Sequence, residues 1–329
     1  MKKLPGIVLI AATALLLSAC SSGAGTATPE HSSSASAAFP ATVETTFGTV
    51  TVAKKPTRVV ALGWGDAGTA LELGVQPVGA SDWLGFGGKG VGPWDADKYT
   101  KSPQIIETLE PNYEKIAALK PDLILDVRGS GDAARHKKLA SIAPTIGVPK
   151  DGANYLTTTE EETMMIATAL GEKAKGQQLL DDVAKAFRAA ATAHPQWKGK
   201  TVTVATRTSD GWGAYTEGDV RLEFLQNLGF TQSPTIAKLK PNATGFSTSI
   251  SDEQLGLLDA DLIVAFPIFI DASQITDNAQ WKTIPAVAAG RSIVIDGELS
   301  LAYSDGTPGA EKYAIAKLTP LIEATNVGE

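Results

Sequence analysis

Cysteine is almost absent from this chain: among 329 residues there is one, Cys20. A lone thiol closes no disulfide within the chain, so no internal cross-link supports the fold. Histidine is nearly as scarce, at His31, His136 and His194. Three histidines so dispersed, with no second cysteine, argue against a site that grips a bare transition metal. They argue against a hydrolase as well. No G-x-S-x-G segment is present, His31 lies in a polar tether and His194 at a helix end, so only His136 could act as a base. Excess positive charge is lacking too, since the net charge is -7, and nucleic acid is a poor partner for such a chain. Beyond the leader, no apolar run approaches the length that spans a bilayer. Aromatic residues make up only 6% of the chain, so any place where they gather is informative.

The leader is well marked. Lys2 and Lys3 form a positive start and residues 7–17 an apolar stretch too short to anchor, which reads as a signal peptide over 1–20. It ends Leu17-Ser18-Ala19-Cys20, which resembles the bacterial lipobox. That resemblance implies lipid on Cys20, the only covalent addition expected, and a place at the outer face of the cytoplasmic membrane. Ordinary cleavage beside an incidental cysteine is the alternative. Two or more acyl chains hold a protein on a membrane stably where one is marginal. Residues 21–41 are then a flexible tether, rich in Ser, Ala, Gly and Thr, with a reach of about 25 Å.

The rest of the chain carries a weak internal repeat. The run Asn112-Tyr113-Glu114-Lys115-Ile116 leads to Leu119 and then Asp122-Leu123-Ile124. Its second copy opens Ser251-Asp252-Glu253-Gln254-Leu255 and leads to Leu258 and then Asp261-Leu262-Ile263. Each copy predicts a polar cap, a short amphipathic helix, a turn and a buried strand. Upstream, strands are expected at 58–62, 77–80 and 201–205, and helices at 67–73 and 221–228. Strands alternating with helices predict parallel sheets. Between the halves, 159–193 reads as helix, capped by Thr157 or Thr158, divided near Gly171, and followed by Pro195. The expected fold is therefore α/β: two Rossmann-like lobes, 42–158 and 196–329, with mainly parallel sheets, joined through the helical segment 159–195 by one long helix, and with the ligand in the interlobe cleft.

This plan resembles the periplasmic-type binding proteins of ATP-driven iron-siderophore importers, a class shared with cobalamin and haem carriers. Lys55-Pro56-Thr57-Arg58-Val59-Val60 is similar to the family's first strand entry, and 113–124 is close to its best-preserved signature. Trp281, Ile284-Pro285-Ala286-Val287 and Gly290-Arg291 match its usual late segment. The resemblance implies a monomeric carrier, not an enzyme, that captures a ferric siderophore whose chelator holds the iron. It implies delivery to a membrane permease with its ATPase. It also implies that Glu114 and Glu253 are the lobe-surface carboxylates that dock on the permease, although each would serve equally as a helix first-turn carboxylate.

Ligands of open α/β sheets bind beyond the carboxyl ends of the strands. There the first half places Trp64, Asp66, Trp83 and Trp94, with Arg128 after the 123–126 strand. The second half places Arg207, Trp212, Tyr215, Phe266, Phe269 and Tyr303. Aromatic faces suit an organic chelate, and the two arginines lean towards an anionic one, with Arg128 favoured because the resembling family commonly has Arg there. A competing motif, Gly63-Trp64-Gly65-Asp66-Ala67-Gly68, fits the dinucleotide pattern G-x-G-x-x-G. A bulky Trp64 in that loop would crowd a pyrophosphate. A secreted hydrolase or dinucleotide-dependent oxidoreductase is the alternative from another class.

Overall fold

The computed structural model describes residues 38–328. The signal peptide, Cys20 and nearly all of the expected tether lie outside the described residues. The first strand begins at Ala41, inside the range read as tether, and Phe39 already packs on the core of the first lobe. Strands β1 (Ala41–Thr45) and β2 (Gly48–Val52) form an antiparallel hairpin. Among the described residues no helix is long and apolar enough to cross a membrane.

The first lobe alternates strand and helix: β3 (Val59–Ala61), α1 (Asp66–Glu72), β4 (Gly79–Ser81), α2 (Pro93–Ala96), β5 (Gln104–Ile106), α3 (Tyr113–Ala118), β6 (Leu123–Leu125), α4 (Ala133–Ala140) and β7 (Thr145–Ile146). The five strands β3–β7 are all parallel, in the order β5-β4-β3-β6-β7. Alternation sorts their side chains onto two faces. Val59, Ala61, Leu123 and Leu125 join Ala67, Ala70 and Leu71 of α1, while Val60, Ile124 and Ile106 join Ile116 and Leu139 of α3 and α4. Both faces are covered, which is why the central strands β3 and β6 are apolar at every position.

Two helices link the lobes. In α5 (Thr159–Leu170), Thr158 and Glu161 form a reciprocal capping box, and Gly171 ends the helix at φ 73°, in the left-handed region that glycine enters freely. The longer α6 (Lys173–Ala193) spans about 31 Å at 1.5 Å per residue. Its Leu179 packs on the first lobe, whereas Val183 and Phe187 belong to the core of the second. One helix is thus seated in both cores.

The second lobe contains β8 (Thr201–Thr208), β9 (Gly211–Tyr215), α7 (Val220–Asn227), β10 (Thr231–Gln232), β11 (Ser247–Ile250) and β12 (Leu262–Pro267), then α8 (Ser273–Thr276), α9 (Pro285–Ala288), β13 (Ser292–Val294), α10 (Gly297–Asp305) and α11 (Pro308–Glu323). Parallel β8, β12, β13 and β10 are extended on one side by antiparallel β9 and β11. The sheet is therefore mixed, with a hairpin where a wholly parallel plan would place a crossover. The repeat holds in order but not in detail. In the first copy Asn112 accepts from the Lys115 N–H at 3.0 Å and α3 is an α-helix. In the second, Ser251 makes no cap and residues Asp252–Leu258 form a 3-10 helix.

Candidate functional site

The loops at the carboxyl ends of β3, β4, β5 and β12 face each other across the two lobes and enclose a cavity of about 310 Å³. Its first-lobe wall is aromatic. Trp64 stacks between Trp83, with ring centres 4.4 Å apart, and Tyr155, at 4.0 Å. On the opposite wall Tyr215 stacks on Phe266 at 5.7 Å and on Phe246 at 6.3 Å, and the Phe246 edge meets Trp64 at 6.0 Å. Aromatic rings of the two lobes therefore touch at the cavity floor. Two apolar side chains stand at the mouth: Leu109 is 71% and Phe269 80% exposed. Phe269 has φ 55°, unusual for a bulky residue, and its ring reaches towards Gly85 of the other lobe. The Ser300 and Ser304 hydroxyls of α10 supply polar points in the wall.

One cation lines the cavity, and the sequence did not single it out. Arg221, near the start of α7, donates from Nε to one Asp219 oxygen at 2.7 Å and from Nη2 to the other at 2.5 Å. Its guanidinium lies 3.8 Å from the centre of the Tyr215 ring. Asp219 also accepts from the Arg221 N–H, so it caps α7 and fixes the arginine together. The available signal was Asp219-Val220-Arg221 itself: a cap residue at the end of a strand-end loop, with a cation two positions on. Phe246, Leu109 and Ile268 were likewise missed: the first two adjoin strands that the sequence did not predict, and Ile268 follows a predicted strand but is not aromatic, the feature by which Phe266 and Phe269 were chosen.

Of the residues expected at the ligand, Trp64, Trp83, Tyr215, Phe266 and Phe269 line the cavity. Six others do not. Arg128 is 1% exposed, and its guanidinium donates to the Thr157, Asp305 and Gly306 carbonyls and pairs with Glu162 at 2.5 Å. It clamps the first lobe to the loop before α11. Asp66 is fully buried, and its carboxylate accepts from the N–H groups of Gly63, Val127 and Arg128, closing the β3–α1 turn on β6. Trp94 sits where the lobes abut, against Phe86 and Tyr313. Trp212 and Arg207 fall on the other face of the second sheet, where Trp212 stacks on Trp281 and Arg207 lies over Trp212. Strand alternation decides this, because Tyr215 and Trp212 differ by an odd number of positions along β9. Tyr303 is buried behind Phe266 and donates its hydroxyl to the Arg221 carbonyl, so it supports the wall without lining it.

Behind the cavity the lobes meet in a buried acidic seam. Loss of hydration pushes the carboxyls of Asp66 and Asp305 up to about 6 and that of Asp95, beside Glu72, up to about 7. Burial carries Glu311 to about 8 and raises Glu162 and Glu72. Thr159 donates to Glu311, and the Gly309 N–H at the start of α11 donates to Glu72 across the lobes at 2.9 Å. The glycine-rich turn serves the same junction. A Cβ on Gly65, at φ 88°, would lie 2.9 Å from Thr307 and 3.0 Å from Glu162. The start of α1 is thus covered by the second lobe, and no pyrophosphate fits there.

Residues 59–299 match the profile of a family described as periplasmic binding protein. The chain belongs to that family. A probable siderophore-binding lipoprotein of Bacillus subtilis, YfiY, is 30% identical over 86% of this chain and 87% of its own length. An Fe(3+)-citrate-binding protein of the same organism, YfmC, is 30% identical over 74% of each chain. Among solved structures, a periplasmic solute binding protein of Mycobacterium smegmatis superposes with a TM-score of 0.76 at 27% identity, covering 88% of this chain and 99% of its own. PiaA of Streptococcus pneumoniae in complex with ferrichrome gives 0.72 at 26% identity, over 86% and 98%. Two-lobed members of this family are substrate-binding proteins, and the cavity here lies between the lobes. Glu114 and Glu253 are both exposed, each in the first turn of its helix, and neither lines the cavity.

Proposed function

We propose that this periplasmic binding protein captures a ferric siderophore outside the cytoplasmic membrane and hands it to the permease of an ATP-driven importer. The observation that carries the proposal is the interlobe cavity: two facing aromatic walls and one arginine, with no bare-metal ligand set among the described residues. Such a surface packs an organic shell rather than an ion. Relatives named for siderophore or ferric citrate binding support it, as does the ferrichrome complex of a similar fold. The protein acts as a monomeric carrier and not as an enzyme, held to the membrane by lipid on Cys20 and docking through Glu114 and Glu253. Relatives named as lipoproteins of such transporters support the anchor.

Titration of intrinsic fluorescence against ferric chelates, haem and cobalamin tests the reading. A ferric siderophore is expected to quench with Kd below about 1 μM, equivalent to about 8 kcal/mol. Trp64→Ala and Trp83→Ala should weaken binding far more than Trp197→Ala, because Trp197 is fully buried in the second lobe's core. Tighter binding of haem or cobalamin than of any chelate would reassign the cargo.

A further inference from the structure

We propose that the cleft selects ferric chelates without net charge, of the tris-hydroxamate type, over anionic citrate and catecholate chelates, and that the Arg221–Asp219 pair sets this preference. The inference rests on the siderophore reading above. Among the described residues that line the cavity, Arg221 alone carries charge. Both Nε and Nη2 are committed to Asp219, and the two residues are 5% and 3% exposed. The buried carboxylate cancels the buried guanidinium, so the wall presents polarity without net charge.

The two arginines that the sequence suggested for the ligand add nothing to attract an anion. Arg128 is matched by Glu162 behind the wall, and Arg207 lies on the far face of the sheet. An anionic chelate entering this site would shed its hydration against rings and a neutral pair, with no net counter-charge in return. A neutral chelate sheds much less. Three hydroxamates bring one negative charge each and balance Fe(III), whereas three catecholates bring two each and leave an anion. The neutral complex still exposes carbonyl oxygens, which the uncommitted Nη1 edge of Arg221 and the Ser304 hydroxyl can bind, the Ser300 hydroxyl being already donated to the Gly297 carbonyl.

The test is a fluorescence titration of the full chain with ferrichrome, ferric citrate and ferric petrobactin. Ferrichrome is expected to bind at least about tenfold tighter than either anion, with a Kd that barely changes between about 0.05 and 0.5 M NaCl. Asp219→Asn keeps a capping side chain but leaves Arg221 uncompensated. It should cut the preference for ferrichrome by about tenfold, through tighter binding of the anions. Arg221→Gln leaves Asp219 uncompensated and should widen the preference, which keeps the test decisive should D219N fail to fold. Wild-type protein that binds either anion as tightly as ferrichrome, or a preference that neither variant moves, would overturn the charge inference and leave siderophore binding standing. Failure of all three chelates to bind would overturn the siderophore reading itself.

Discussion

Arg128 shows how a residue changes meaning once its neighbours are known. Read from the sequence it is a cation at a strand end, ready for an anionic ligand. In the fold it answers Glu162, which lies among the carboxyls of Asp66 and Asp305 with almost no access to water. Removing the arginine strands that carboxylate. Arg128→Met should therefore cost about 3–5 kcal/mol in urea unfolding, and adding Glu162→Gln should recover part of it. A loss under about 1 kcal/mol would show that the clamp holds little. The sequence located the strand ends, and through them Trp64, Trp83, Tyr215, Phe266 and Phe269. It did not tell which side chain at a strand end turns inward. Trp212 and Tyr215 are both aromatic, on one strand, and only the register of β9 on β8 sends the first to Trp281 and the second to the cavity.

Among the elements, the repeat was the most legible feature, since Leu123-Ile124 and Leu262-Ile263 read as buried strands from composition alone. A cap at Thr157 or Thr158 and the break at Gly171 were legible for the same local reason, and the structure puts the cap at Thr158. What escaped was non-local. The β8–β9 hairpin and the antiparallel β11 depend on pairing across the sheet, and no periodicity within one segment reveals that. Glu114 and Glu253 begin corresponding helices of unlike kind, one α and one 3-10, yet both stand in solvent. If they dock on the permease, the Glu114→Ala and Glu253→Ala variants should keep chelate affinity and lose uptake in cells. The double variant should lose more, and charge reversal to Arg more again. Normal uptake by the double Ala variant would leave them as first-turn carboxylates alone.

For the whole molecule, the acidic seam sets a dependence on pH. Its carboxyls titrate at about 6 for Asp66 and Asp305, about 7 for Asp95 and about 8 for Glu311, all above the ordinary carboxylate range. The native state thus keeps protons that the unfolded chain has released. The stability they contribute is complete below about pH 4 and is lost as pH rises through about 6 to 8. His136, stacked on Phe47 and lowered by burial, works the other way below its ordinary value, but it is one group against several. The melting temperature should therefore be higher at pH 5.5 than at pH 8.5, by about 5 °C. A calorimetric profile that is flat or rises over that interval would contradict it. The same seam, with Arg128 and with α6 seated in both cores, ties the lobes at several points where a hinge would need them free. On the importer reading, such a carrier is a stiff cup and not a closing trap. Empty and filled copies would show the permease nearly the same outline, so unfilled ones would queue at the gate beside filled ones. Telling them apart would then fall to the rim, where a bound cargo would be flanked by Leu109 and Phe269.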